Sequence, residues 1–172
     1  KTAALQVQEY RDRDRERRIH VFHGFRRLGG ATMLEDMYKL AKRDNAQLVV
    51  AGFFIDTYYD KEHYVTDDYV VEDAVYPDKE SFRRNAYKLF DKNLLYTPWN
   101  KLFESRYIME NNLRFPETFW DDFPFNVSIV RNVERVTVTH KQYYHFLRAR
   151  SESETAAYRP VCMKSGKKSM AG

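Results

Sequence analysis

Apolar positions along this chain switch between two periods. Ala3, Val7 and Tyr10 recur at i, i+4 and i+7, the spacing of one helix face, and predict a helix over 3–14. A polar stretch follows, and residues 19–22 read as a short strand. Gly24, Gly29 and Gly30 mark a loop. Leu34, Met37, Tyr38 and Ala41 restore the helical stripe, which stops near Asp44 and Asn45. Residues 48–54 form a continuous apolar run of strand length, the pattern of a strand buried on both faces in a mostly parallel sheet. Helix, strand, helix, strand in this order argues for an α/β fold.

Acidic and aromatic residues alternate over 56–76 and predict an irregular hairpin. Phe82, Ala86, Leu89 and Phe90 form another helix face, and residues 99–111 also read as helical. Phe125, Ile129 and Val133 predict a helix after Pro124, which suits a first-turn position. Val136 and Val138 alternate with Arg135, Thr137 and Thr139 as in a half-buried strand, and 143–147 reads as a second strand. The residues from Val161 onward read as a flexible tail, and nothing suggests a repeat or a second domain.

At 172 residues the chain is long enough for one domain with a real core. It is 43% hydrophobic and 16% aromatic, which excludes a disordered chain. The 13 Tyr and 12 Phe exceed what a plain structural domain needs, and such rings also make flat platforms for sugars and bases. Net charge is +4 and the pI about 9.0. The basic excess gathers at Arg11, Arg13, Arg15, Arg17, Arg18, Arg26 and Arg27, and again at Lys164, Lys167 and Lys168. Such runs read as solvated faces, or as attraction to the phosphates of a nucleotide, an anionic lipid surface or a nucleic acid. One cysteine, Cys162, excludes an internal disulfide and fits a reducing compartment. No run approaches the ~20 apolar residues of a membrane span. The chain opens on Lys1, so any leader lies outside this reading.

Three local constellations carry candidate chemistry. Asp121 and Asp122 stand just before the helix expected after Pro124. They read either as helix caps or as a general base at the rim of an aromatic pocket, and the roles compete, because a carboxylate stabilised by a helix end is a weaker base. Trp99 and Lys101 read either as core and surface, or as a sugar-stacking ring and a cation steadying phosphate or carboxylate. Residues 143–155 run from a strand into a loop with Arg148, Arg150, Ser151, Ser153 and Thr155. That loop is either a charged strand end or a set of donors for a diphosphate. The five histidines show no tight metal-ligand spacing, and 24–30 carries neither a Walker nor a dinucleotide fingerprint.

In this order the three constellations resemble the family 2 glycosyltransferases. The matching pieces are Trp99-Asn100-Lys101-Leu102, then Arg114-Phe115-Pro116-Glu117, then Asp121-Asp122 with Phe125, then Tyr144 through Thr155 with its Arg-x-Arg and Ser-x-Thr ending. Upstream, residues 4–23 are similar to the helix and strand after the family's first nucleotide-binding strand. Residues 33–53 are similar to the helix and strand after its metal-binding motif. The family's first strand and its Asp-Gly-Ser segment have no counterpart before Lys1. Gly29-Gly30-Ala31-Thr32 runs straight into Met33, where the family carries a further stretch with its Asp-Ser-Asp-Asp ligands. Either a segment that belongs between 23 and 33 is missing from this chain, or the chain is a truncated, inactive form.

The resemblance implies a GT-A-like α/β fold, a three-layer sandwich with a mixed sheet, as one incomplete domain over 1–160 followed by the tail 161–172. It implies an inverting transferase that moves a sugar from a nucleotide-diphosphate donor, a UDP-sugar above all, to an acceptor hydroxyl in surface polysaccharide or glycan synthesis. Asp122 is then the catalytic base; Trp99, Lys101 and Asp121 bind the acceptor; Arg148, Arg150 and Ser153 bind the donor diphosphate. Mg2+ or Mn2+ is the implied cofactor, with ligands outside this sequence. A glycan or lipid-linked acceptor, a cytoplasmic location at the inner face of a membrane with peripheral attachment, and a homodimer are compatible with it; no nucleic acid is expected. The rival is a non-catalytic phosphate- or nucleic-acid-binding α/β module using the arginines of 11–27.

Overall fold

The computed structural model describes residues 6–11, 18–23, 32–60, 62–118 and 121–149. In chain order they form β1 (Gln6–Arg11), β2 (Arg18–His23), α1 (Met33–Asp44), β3 (Leu48–Tyr58), β4 (Tyr64–Tyr69), β5 (Ala74–Tyr76), α2 (Lys79–Asp91), β6 (Lys101–Glu104), α3 (Ser105–Glu110), α4 (Asp122–Asn132) and β7 (Val136–Ala149). The strands make one seven-stranded mixed sheet in the order β1-β2-β6-β3-β7-β5, with β4 paired to β3 beside this path.

The apolar run at 48–54 lies within β3, at the middle of the sheet. Its first residues pair antiparallel with β6, its later ones antiparallel with β4, and its other edge runs parallel to β7 throughout. The mostly parallel sheet expected from this run is therefore corrected: among the described strands, β3 with β7 is the parallel pair. Burial on both faces requires cover on both faces, whatever the strand direction, so the apolar run reports cover rather than orientation.

That cover makes three layers. Met33 and Met37 of α1 pack with Val49, Ala51, Leu102 and Tyr143 on one face. On the other, Phe82, Ala86 and Leu89 of α2, Tyr107 of α3, and Phe125 and Ile129 of α4 pack on Leu48, Val50, Phe53, Val136 and Tyr144. The helix caps follow the sequence closely. Asn45 ends α1 in the left-handed region (φ 51°), which asparagine tolerates, and its N–H donates to the Ala41 carbonyl. Asp78 begins α2 by accepting from the Ser81 N–H at 2.8 Å.

Three sequence expectations are corrected. The helix over 3–14 is a strand in its described part: β1 pairs antiparallel with β2 from Gln6↔His23 to Arg11↔Arg18. The i, i+4 spacing of Ala3, Val7 and Tyr10 loses to a complete ladder with the neighbouring strand. The helix over 99–111 divides into β6 and α3, because Lys101–Phe103 fill the slot between β2 and β3 and supply ladder partners to both. The two strands expected over 136–147 are one, β7, and its start is buried on both sides rather than half-buried: Val136, Thr137, Val138 and Thr139 are all buried.

β7 stays continuous by taking up extra residues. Its register with β3 shifts between Ala51 and Gly52 and again between Gly52 and Phe54. The side-chain alternation of β3 changes phase there, so that Leu48 and Val50 share a face with Phe53 and Ile55. Gly52 sits at this irregularity with no room for a side chain. A Cβ there would lie 2.9 Å from Gln142 Cγ, 3.0 Å from the Tyr69 carbonyl oxygen and 3.1 Å from Val70 Cγ1. Gly52→Ala is expected to destabilise the protein by about 1–3 kcal/mol through overpacking. A denaturant midpoint equal to wild type would contradict this close packing.

Candidate acceptor-side active site

The site grows from the turn between α2 and β6 and the start of α4. Asn100 is fully buried, and its Nδ2 donates to the Ala51 carbonyl at 2.9 Å and to the Leu94 carbonyl at 3.2 Å. This fastens the turn to the central strand. Lys101 follows on the sheet face that carries Phe103, toward α4, and is 1% exposed. Its Nζ donates to the Leu94 carbonyl at 2.6 Å, to Asn100 Oδ1 at 2.8 Å and to the Thr97 carbonyl. Three acceptors match the three N–H groups of an ammonium. Burial holds the Lys101 pKa well below the ordinary lysine range, and the Asp122 carboxylate works in the opposite direction.

Asp121 stands at the N-cap of α4, but its side chain accepts no capping bond. The helix-cap reading of the acidic pair therefore has no support in the side-chain geometry. Asp122, the first helical residue, is half-buried, and its carboxylate makes no hydrogen bond within the described residues. Burial first and the Asp121 charge second push its pKa up from an ordinary 3.8 to about 6, while Lys101 pulls it down. One turn on, Asn126 Nδ2 donates to the Asp122 carbonyl at 2.8 Å and to the Tyr96 carbonyl at 3.3 Å, tying α4 to the Lys101 turn. Asn126 Oδ1 and Thr97 Oγ1 are buried and have no hydrogen-bond partner among the described residues.

The structure thus brings Asp121, Asp122 and Lys101 together. Trp99 lies in the core, 6% exposed, with its ring 4.2 Å from that of Tyr144 and edge-on to Phe53 at 4.6 Å. Its faces are occupied by protein, and the ammonium of Lys101 is occupied by carbonyls. Either residue shapes the site from beneath rather than by presenting a free ring or charge. Phe146 also lies against Trp99, and Arg148 follows it two residues later at the exposed end of β7, level with Thr57 of β3. Arg150 and Ser153 lie outside the described residues, as do the tail 161–172 and the junction expected between 23 and 33, apart from Thr32. Among the described residues no group of three or more His, Cys, Asp or Glu is placed to hold a metal ion. The divalent ion implied by the resemblance has its expected ligands outside this sequence.

Sequence reasoning passed over Tyr96, Thr97 and Phe123 as site residues. Tyr96 and Phe123 stack at 5.0 Å with 17° between planes, beside Asp122 and partly open to solvent. Phe123 carries a signal: it is out of phase with Phe125 and Ile129, the core face of α4, so it must point elsewhere. The open capacity of Thr97 and Asn126 has no sequence signal, because it arises from the approach of α4 to the turn. A second polar cluster lies on the opposite face of the sheet, where buried Asp56 accepts from Thr66 Oγ1 at 2.7 Å and pairs with His145 Nδ1 at 2.9 Å. Its members are spread from 56 to 145, so spacing does not reveal it.

No family model matches the chain. The cholesterol galactosyltransferase of Borreliella burgdorferi (strain B31) is 29% identical to it over 121 residues, covering 66% of this chain and 33% of that protein. The chain is similar in sequence to a glycosyltransferase. It spans about a third of the length of that curated relative. Among solved structures, S. aureus TarS 1–349 in complex with UDP-GlcNAc aligns with a TM-score of 0.53 at 17% identity, over 77% of this chain and 35% of that one. This likeness establishes the fold: a curled mixed sheet between helices, the GT-A-like arrangement in part. No helix among the described residues is long and apolar enough to cross a membrane.

The raised pKa of Asp122 has a consequence for stability. Below about pH 4 the group is protonated folded and unfolded, and costs nothing. Between 3.8 and about 6 the unfolded chain releases the proton first, so stability falls as pH rises, and above 6 the cost is complete. Asp122→Asn is expected to stabilise the protein at pH 7–8 by about 1–2 kcal/mol, discounting roughly 3 kcal/mol for solvent screening. The gain should vanish near pH 4. Denaturant titrations of both proteins at the two pH values check this, and a gain independent of pH would contradict the assigned burial.

Proposed function

We propose that this chain is the acceptor-side part of a glycosyltransferase that moves a sugar from a nucleotide-diphosphate donor to an acceptor hydroxyl with inversion, Asp122 serving as general base. The observation that carries this reading is the Asp122 carboxylate: half-buried, without a hydrogen-bond partner among the described residues, its pKa pushed up to about 6. A carboxylate with that pKa is ionised at neutral pH yet basic enough to receive a proton as the acceptor oxygen becomes nucleophilic. The sequence likeness to a galactosyltransferase supports sugar transfer, and the fold shared with TarS, solved with UDP-GlcNAc, supports a nucleotide-sugar donor.

In the proposed step Asp122 takes the proton of the acceptor O–H, and that oxygen forms a bond to the anomeric carbon. The bond from that carbon to the donor's diphosphate oxygen breaks on the opposite face, and the nucleoside diphosphate leaves with the electron pair. Thr97 Oγ1 and Asn126 Oδ1, buried and without partners among the described residues, have hydrogen-bonding capacity left for an ordered water. Lys101 acts on the base from below: its charge keeps the Asp122 pKa from rising further, so the carboxylate stays ionised at neutral pH. Arg148, with Arg150 and Ser153 by resemblance, is assigned to the diphosphate.

Full-length protein assayed with a panel of UDP-sugars and Mg2+ or Mn2+ tests this. Asp122→Asn is expected to lower kcat by at least ~100-fold, the scale of general-base catalysis, with donor KM little changed. In the wild type, kcat/KM should climb with pH through an inflection near 6. Near-normal turnover by the folded variant would reject the base. Oligonucleotide binding without turnover on any donor would instead favour the non-catalytic reading.

A further inference from the structure

The surface beside Asp122 is more apolar than base catalysis requires. Tyr87 is 58% exposed, Tyr96 40%, Phe123 39% and Val127 41%, a cluster unusual for side chains of this size. They form one strip. Phe90 meets Tyr96 edge-on at 5.8 Å, and Tyr96 stacks on Phe123 at 5.0 Å. Farther along, the guanidinium of Arg83 donates to the Arg131 carbonyl. The two ties set α2 and α4 antiparallel: Phe90 reaches the start of α4 through Tyr96, and Arg83 its end. Tyr87 and Val127 therefore lie at mid-span on the two sides, and Asp122 lies at the end of the strip.

The border of the strip is basic. Residues 79–92 carry Lys79, Arg83, Arg84, Lys88 and Lys92 against Glu80 and Asp91. Lys88 Nζ lies 6.0 Å from the centre of the Tyr87 ring, so positive charge directly adjoins the apolar surface. A free sugar presents hydroxyls around its whole edge and needs donors and acceptors there, whereas the polar groups of this strip's own side chains are the two phenol hydroxyls of Tyr87 and Tyr96. Apolar surface bordered by cations is instead complementary to hydrocarbon beneath anionic headgroups.

We propose that the strip formed by Tyr87, Phe90, Tyr96, Phe123 and Val127 binds the hydrocarbon body of a lipid acceptor, taken from a bilayer with anionic headgroups, and delivers its hydroxyl to Asp122. This inference rests on the transfer proposed at Asp122 and adds the class of acceptor. The apolar strip takes the acceptor's hydrocarbon out of water, the lysines of α2 hold the protein at the headgroups, and the open carboxylate meets the hydroxyl at the strip's end.

The test uses full-length protein and flotation with phosphatidylcholine–phosphatidylglycerol vesicles carrying a long-chain alcohol. Wild type is expected to float. Tyr87→Asp/Val127→Asp, with unchanged thermal unfolding, is expected to bind at least about tenfold more weakly, since two charges replace two apolar contacts. Its KM for transfer to the vesicle-borne alcohol should rise by a similar factor. Flotation of this variant within about twofold of wild type would overturn the proposal, as would faster wild-type transfer to a water-soluble glycan than to the vesicle-borne alcohol. Asp122→Asn separates the two readings. If it floats normally and transfers nothing, both stand. If it transfers normally while the double variant fails to float, the base falls and the strip remains. If it transfers nothing while the double variant floats normally, the strip falls and the base remains.

Discussion

A buried ammonium holds the part of this fold around Asp122 together. Removing Lys101 from water costs several kcal/mol unless its donors are met, and in isolation the charge would be intolerable there. Three oxygens from a single turn meet them, and Asn100 pins that turn to Ala51 in the central strand. The turn must then keep one shape, because any other leaves a charge or three acceptors unsatisfied in the core. Asn126 grips the same turn through Tyr96, so the first helical turn of α4 inherits its position. The site is thereby mounted on the middle of the sheet rather than on a free loop.

The same arrangement sets the electrostatics of Asp122. A carboxylate at a helix start, facing a cation, would ordinarily be held low. Here burial and the adjacent Asp121 outweigh both and push the pKa up to about 6. The group lowers the stability of the folded protein at neutral pH, and that cost is what makes it basic enough for the proposed proton transfer. The buried oxygens of Thr97 and Asn126 also keep polar capacity unused among the described residues, as does Ser105 Oγ.

Next to the Asn100 turn, the sheet depends on an irregularity. β7 follows β3 over its whole length only because extra residues are absorbed on either side of Gly52. Without those shifts the alternation of β3 would run on from Leu48 and Val50 and turn Phe53 and Ile55 toward α1, away from Trp99. The absence of a side chain at one position thus helps decide that Phe53 packs against Trp99.

The sequence by itself determined those parts of the protein whose signal is local. Helices α1, α2 and α4, the buried run of β3 and the cap at Asn45 follow from periodicity and cap chemistry within a few residues. The acidic pair stood out because its order with Trp99, Lys101 and Arg148 resembles a family pattern. Tertiary structure alone decided what depends on distant partners. It turned residues 6–11 into a strand, because β2 offered a complete ladder, and it divided 99–111, because a slot between β2 and β3 needed filling. It buried Trp99 and Lys101, whose types are compatible with either core or ligand contact. It also raised the Asp122 pKa, because proton affinity depends on the solvent and charge around a group, and no spacing along a chain encodes that.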